Sequence, residues 1–372
     1  MKTSRRYLVA QVKKDILSWM VLLAGPREVG KTTLARSLPG AETGYLNWDA
    51  EGDRHRLLTR DMPRTRLWVL DEIHKYRGWR NFLKGLWDGR RCGQRILVTG
   101  SGRLEYYSFG GDSLQGRYRL LHLHPFSVAE LGIGNASGLR DLLVLGGFPV
   151  PFLHGSREEA RRWSIHHRAQ IIREEVVSLE QVIDLGRLEL LMLSLPERVG
   201  SPLSINALSE DLRVKHATVE RWVQVFERLY VVFRLPPFGA PRLRAVKKER
   251  KHYHFDWSLV PGEGPRFENL VACHLLKWVD FERDTKGRDL ELRYFRDVDG
   301  REVDFVVLED RKAILLVEAK AGDAEPDRGL RYLYERFRDA EAWQISARGR
   351  RDYQTPTGIR VAPALEFLKT LV

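Results

Sequence analysis

The sequence predicts an α/β chain in three parts. A parallel sheet with helices on both faces is expected over residues 1–155, a mainly helical region over 156–265, and a mixed α+β region over 266–372. Three observations predict this. Short apolar runs alternate with amphipathic stretches through the first part. From about 156 to 235 the apolar period becomes helical, as in "REEARRWSIHHRAQIIREEVVSLEQVI". After 266 strands return with flanking helices, beginning with the helical "RFENLVACHLLKWV".

The elements follow in order. "WMVLLAG" reads as a buried strand, "KTTLARSL" as a helix, "GYLNWD" and "RLWVLDE" as strands, and "WRNFLKGLWDG" as a helix. "RILVTGSG" and "YRLLHLHPFS" are further strands, and "GGFPVPFLHG" marks a break. "RLPPFGAPRL" and "VPGEGPRF" read as loops.

The 372 residues suffice for several domains, and 43% hydrophobic with 30% charged residues is ordinary for a globular chain. No apolar run approaches the ~20 residues of a membrane span, and the N-terminal stretch lacks a signal peptide's apolar core. The two cysteines, Cys92 and Cys273, are far apart, which argues against a disulfide framework or zinc site. A cytoplasmic location without membrane contact is expected. The net charge of +12 divides as +10, +3 and −1 over the three parts. The basic excess fits nucleic acid, nucleotide phosphates or solubility alike.

"GPREVGKTT" fits the phosphate-loop pattern G-x-x-x-x-G-K-[ST], between a strand and a helix. Gly25, Pro26, Arg27, Glu28, Val29 and Gly30 are expected to wrap phosphates in backbone N–H groups. Lys31 then reaches the β- and γ-phosphates of ATP, Thr32 holds Mg²⁺, and Thr33 continues the helix N-terminus. In "LWVLDEIH", four apolar residues bring Asp71 to the carboxyl end of a strand, where open α/β sheets bind ligands. Asp71 is expected on the Mg²⁺ shell and Glu72 on the attacking water.

"RILVTGSG" ends in the hydroxyls of Thr99 and Ser101, placed to sense the γ-phosphate or hold the lytic water. "LQGRYR" presents Arg117, an arginine finger in cis or from a neighbouring subunit, or a plain surface arginine. "IHKYRGWRNFLKG" interleaves Lys75, Arg77 and Arg80 with Tyr76 and Trp79. The cations are candidates for nucleic-acid contacts, and Trp79 is weighted toward the core.

"LSINALSEDLRVKHATVERWVQVFERLYVVFRLPPF" reads as a helix-turn-helix leading into a β-wing. Ile205, Leu208 and Leu212 form one apolar face, and Val219, Trp222, Val223, Phe226 and Leu229 the other. Lys215 and Arg221 stand on the exposed side, where such a helix meets DNA, while Glu220 and Glu227 dilute the positive charge. The same element also serves as a lid or a dimer contact in other proteins.

Taken with "YLNWD", "HPFSVAEL", "GGFP", "KHYHFDWSL", "RFENLVACHLL", "REVDFVVLED" and "LLVEAK", these stretches run in order along nearly the whole chain. The chain resembles the prokaryotic AAA+-type ATPases that carry a C-terminal domain of unknown function with a nuclease-like fold. The resemblance implies an ATPase with its site on Gly25–Thr33, Asp71, Glu72, Ser101 and Arg117. It motivates a homo-oligomer, a hexameric ring being one form. One departure is His74: relatives read "DEIQ" where this chain reads "DEIH", and the sequence leaves a polar contact or plain packing open.

"REVDFVVLEDRKAILLVEAK" reads as a hairpin turning near Asp310 and Arg311. Paired positions then sum to about 621, setting Asp304 opposite residue 317, beside Glu318. Glu318 and Lys320 are two apart and share a face. Asp304, Glu318 and Lys320 can therefore converge as in PD-(D/E)xK nucleases, where two carboxylates hold Mg²⁺ and a lysine assists. Glu268 matches the extra helical glutamate of such enzymes, and Glu302 shares the face of Asp304. With the resemblance, the last part is expected to be restriction-endonuclease-like, serving binding more than cleavage. The expectation is a Mg²⁺-dependent ATPase that binds and remodels DNA, branched or ended DNA in repair, recombination or defence included. An ATP-gated metal-dependent endonuclease and a nucleotide-switched signalling or scaffold protein are the alternatives.

Overall fold

The computed structural model describes residues 6–100, 104, 114–176, 184–239 and 250–372. The chain divides into two compact units, Met1–Pro125 and Phe126–Val372.

In the first unit β1 (Met20–Ala24), β2 (Tyr45–Asn47), β3 (Leu67–Asp71), β4 (Arg95–Thr99) and β5 (Tyr118–His122) form one sheet in the order β2-β3-β4-β1-β5. Every neighbouring pair is parallel. β1 reads "MVLLA" and is buried along its length, as a strand covered on both faces must be. Its longer helices among the described residues are α1 (Val9–Asp15), α2 (Lys31–Arg36), α3 (Glu51–Thr59) and α4 (Trp79–Asp88). α4 buries Trp79, Phe82, Leu83, Leu86 and Trp87, the i, i+3, i+4, i+7, i+8 stripe of an amphipathic helix. Trp79 is thus a core residue, as its apolar spacing indicated.

The first half of the second unit is helical and includes α5 (Ala136–Leu145), α6 (Arg157–Gln170) and α7 (Leu185–Ser194). α8 (Ile205–Leu212) and α9 (His216–Arg228) follow, separated by a short turn with Arg213 in the left-handed region. Ser204 caps α8 by accepting from the Ala207 N–H at 3.3 Å. Leu208, Leu212, Val219, Trp222, Val223 and Phe226 share one core with Leu188, Leu191 and Met192 of α7. Ile205 is only partly buried against it. β6 (Val232–Leu235) then pairs antiparallel with β7 (Lys251–His254).

α10 (Glu263–Lys286) leads into a six-stranded mixed sheet of β8 (Leu290–Arg296), β9 (Glu302–Glu309), β10 (Lys312–Lys320), β11 (Glu341–Ser346), β12 (Tyr353–Gln354) and β13 (Arg360–Pro363). Its order is β12-β13-β11-β10-β9-β8, flanked by α11 (Arg328–Tyr334) and α12 (Ala364–Leu368). The β9–β10 turn falls on Asp310 and Arg311, both at positive φ, as a two-residue hairpin of primed type requires. The register corrects the one read from sequence. Lys312 faces Glu309 and Ala313 faces Leu308, but a bulge at Ile314 shifts the ladder, so Leu315 faces Val307 and Val317 faces Phe305. Asp304 therefore stands opposite Glu318 rather than residue 317. No helix among the described residues is long and apolar enough to cross a membrane.

Candidate functional site

The phosphate loop springs from the carboxyl end of β1. Gly25 has φ +143°, and a Cβ there would lie 2.2 Å from the Leu123 carbonyl oxygen, so only glycine fits. Gly30, at φ +101°, turns the chain into α2. Pro26 and Val29 are buried, Arg27 half-buried, and Glu28 and Thr33 exposed. Lys31 is buried and donates to the carbonyls of Gly25 at 2.8 Å and Pro26 at 2.6 Å. The buried Arg6 guanidinium donates to the carbonyls of Val29 and His124, bracing the loop from outside. Nothing in its local pattern singles Arg6 out.

One rung of the sheet sets Asp71 of β3 beside Thr99 of β4, and Thr99 beside Leu23 of β1. Asp71 is buried and accepts from three hydroxyls: Thr32 at 2.8 Å, Tyr45 at 2.5 Å, and Thr99. Burial, then the bond to Asp71, holds the Tyr45 phenol well above its usual pKa, so it remains a donor. Tyr45 was not singled out from sequence, since nothing local distinguishes it from a packing residue on β2. The donor set fits a magnesium nucleotide. The Thr32 hydroxyl and the Asp71 carboxylate already converge, and both are oxygen ligands of the kind Mg²⁺ takes.

Glu72 sits at φ +57°, and its N–H donates to the Thr99 carbonyl at 3.0 Å, turning it off the end of β3. Its Oε2 lies 3.4 Å from Lys75 Nζ and 3.6 Å from His74 Nε2. Burial pushes the Glu72 carboxyl up from its ordinary value, opposed by the ammonium groups of Lys75 and Lys31. His74 is buried between this carboxylate and Gly100, where a Cβ would come within 2.4 Å of His74 Nδ1. His74 thus packs and also borders the polar site.

Ser101 lies outside the described residues. Arg117 precedes β5 at the amino end of the sheet, and its carbonyl accepts from Met20 N–H at 3.1 Å. The phosphate loop lies at the other end of β1, roughly 16 Å of extended chain away. The guanidinium grips Asp88 of α4 with two bonds, at 2.9 and 3.3 Å. This geometry corrects the cis reading of Arg117: it does not serve its own chain's phosphate loop. Lys75 is likewise engaged, with Asp49 at 2.5 Å and with Glu72. Arg77 is exposed, and Arg80 is half-buried with its guanidinium 5.8 Å from the centre of the Trp79 ring.

In the second unit Lys215, at the N-terminal cap of α9, and Arg221, on the helix, are exposed. Arg234 of β6 binds both glutamates of that helix, Glu220 at 3.1 Å and Glu227 at 2.7 Å. The acids that dilute the charge of α9 in the sequence are thus offset by a neighbouring strand.

The hairpin carboxylates do converge. Asp304 N–H donates to Glu318 Oε2 at 3.2 Å, and Asp304 Oδ2 accepts from Ala319 N–H at 3.0 Å. Lys320 Nζ donates to Glu318 at 2.6 Å and to Asp327 at 3.0 Å. A residue missed from sequence fills the centre. Lys251 of β7, fully buried, points its ammonium at Glu268 (3.2 Å), Asp304 (3.4 Å) and Glu302. Tyr253 O–H donates to Glu268 at 2.7 Å. In the sequence Lys251 ends the charged run "KKERK", so nothing local marked it as buried.

Burial opposes the charge on Lys251, but the carboxylates of Glu268, Asp304 and Glu302 more than offset it, holding the ammonium pKa above its ordinary value. Burial, with Glu268 and Glu318 nearby, pushes the Asp304 carboxyl well up. A divalent ion does not fit here as expected. The carboxylates that would bind it already share a buried ammonium, whose charge opposes a second cation there. Among the described residues no group of three His, Cys, Asp or Glu side chains is arranged to hold a metal.

Comparison with known families matches residues 18–132 to the AAA domain, residues 136–262 to a domain of unknown function (DUF8612), and residues 263–367 to another (DUF4143). Uncharacterized proteins of Mycobacterium bovis and Mycobacterium tuberculosis are each 26% identical over 266 residues, covering 70% of this chain. The match spans 59% of the length of these curated relatives. The chain thus carries an N-terminal P-loop NTPase domain of AAA+ type, whose make-up is that of an ATP hydrolase, followed by two domains of unknown function.

Proposed function

We propose that this protein is a Mg²⁺-dependent, cytoplasmic ATPase that binds and remodels DNA, with the last part of the chain a nuclease-fold domain that binds rather than cuts. The observation that carries the ATPase reading is the convergence of Thr32, Thr99 and Tyr45 on Asp71 beside the Lys31 loop. Thr32 and Asp71 hold the metal, which when bound draws charge from the phosphate oxygens. Lys31 exchanges its loop carbonyls for β- and γ-phosphate oxygens. Glu72 takes a proton from water as the water oxygen bonds to the γ-phosphorus and the bond to the bridging oxygen breaks. A carboxyl raised by burial is the better base for this. Ser101 is assigned to the γ-phosphate side, and Arg117 to the site of a neighbouring subunit in a homo-oligomer such as a hexameric ring.

The DNA reading rests on the +12 charge, on Arg77 and Arg80, and on Lys215 and Arg221 of α9, read as the recognition helix of a winged helix with β6 and β7 as its wing. The three-part division at 155/156 and 265/266 belongs to this proposal. Measuring ATP turnover with linear, single-stranded, forked and four-way DNA tests it. Turnover indifferent to all four favours the nucleotide-switched scaffold.

A second reading, the ATP-gated endonuclease, has the convergence of Asp304, Glu318 and Lys320 in its favour. Lys251 weighs against it. Nicking of supercoiled DNA in Mn²⁺, lost in the Asp304→Ala, Glu318→Ala double variant, would establish it.

A further inference from the structure

α6 carries Arg157, Arg161, Ser164 and Arg168 at i, i+4, i+7 and i+11, so all four share one face of the helix. That face lines a cavity of about 340 Å³, closed on its other side by Ser258 and by Arg266 in the first turn of α10. The volume lies in the range of small-ligand pockets, roughly 300–1,000 Å³.

The charge of the pocket is lopsided. Arg157 and Arg161 are exposed and make no ion pair or side-chain hydrogen bond with any described residue. Arg168 and Arg266 use their Nε only on backbone carbonyls, of Ser164 at 3.3 Å and Val260 at 2.8 Å. Of the acids in the first turn of α6, Glu158 is exposed and Glu159 pairs with Arg162 at 2.7 Å. Glu263 pairs with Arg348 at 3.1 Å. Asp256, which acts on Arg266, is buried and already accepts from Ser164 Oγ at 3.1 Å and Ser258 Oγ at 2.5 Å. Burial lowers the Arg266 pKa; the nearby carboxylates of Asp256 and Glu263 oppose this, and the charges of Arg157 and Arg161 add to it. Clustered guanidiniums repel one another unless an anion lies between them.

We infer that this pocket is a binding site for a phosphate-bearing anion, gripped by the forked guanidiniums of Arg157, Arg161, Arg168 and Arg266. Four guanidiniums beside Asp256 and Glu263, the latter shared with Arg348, leave a net positive charge, and a phosphate group offers several acceptor oxygens and up to two charges to meet it. The phosphate comes from a nucleic-acid backbone or from a free phosphorylated small molecule. The inference goes beyond the proposed ATPase and does not depend on it.

The test is a calorimetric titration of full-length Lys31→Ala protein, whose phosphate loop is disabled, with pyrophosphate. One saturable site is expected, weakened roughly tenfold or more by the Arg157→Gln, Arg161→Gln double variant. Arg161→Lys, which keeps the charge but loses the fork, should fall between them and still reports if the double variant melts early. Pyrophosphate that displaces fluorescent duplex DNA assigns the pocket to backbone phosphates. Pyrophosphate that binds without displacing DNA assigns it to a free phosphorylated ligand. Absence of saturable binding, or equal binding by the double variant at an unchanged thermal midpoint, overturns the inference. No turnover enters the measurement, so failure of the ATPase reading leaves its outcome intact.

Discussion

Lys251 Nζ lies 3.2 Å from Glu268 Oε1 at the centre of the carboxylate cluster on β9, β10 and α10. The ammonium fills the space between these carboxylates. Lys251→Met should therefore destabilise the second unit by about 3–5 kcal/mol, the usual cost of stranding buried charges. Mn²⁺ should restore much of that loss in the variant while shifting the wild-type melting midpoint far less. Equal Mn²⁺ shifts in both proteins would show that Lys251 does not exclude the ion. Thermal melts with and without Mn²⁺ make the comparison.

Glu72→Gln should retain ATP binding and lower turnover by roughly 10²–10⁴-fold, the contribution of a positioned general base. Lys31→Ala should weaken binding itself. Because the Glu72 carboxyl is raised, activity should fall as pH drops through a value above the ordinary carboxylate range. The Lys75 ammonium holds that value down, so Lys75→Met should move the acid limb to higher pH. A pH–rate profile of wild type and Lys75→Met reads the sign directly.

Arg117 sits at the end of the sheet away from its own phosphate loop. In a homo-oligomer it would act in trans, where an arginine finger can supply ~10³–10⁵ in rate. Mixing Arg117→Ala with Glu72→Gln subunits should then recover activity absent from either alone. Mixtures that stay inactive, with light scattering showing a monomer in ATP, would count against the assembly.

DNA affinity should fall steeply with salt, each neutralised phosphate adding roughly −0.9 to the log–log slope. The Lys215→Glu, Arg221→Glu double variant should flatten that slope. Arg234→Ala should also weaken binding, since it frees the charges of Glu220 and Glu227 on the same helix. Anisotropy titrations across a salt series measure all three proteins, and identical slopes would remove α9 from the interface.

Much of this was legible because local patterns carry it. The phosphate loop, the strand end at Asp71 and Glu72, the Trp79 stripe and the two faces of α8 and α9 each follow from spacing within a dozen residues. Contacts between distant segments were not. Lys251 meets Asp304 across 53 positions, and Arg6 meets His124 across 118. The hairpin register missed by one because a bulge at Ile314 leaves no mark in an apolar run. The neutralising of Glu220 by Arg234 needs the fold to bring β6 against α9.

Steady-state ATP turnover with and without four-way DNA, in wild type and Glu72→Gln, tests the central claim most directly. The account predicts wild-type hydrolysis that rises on adding DNA and all but vanishes in Glu72→Gln, with nucleotide binding retained. Turnover that ignores both the DNA and the substitution would contradict it.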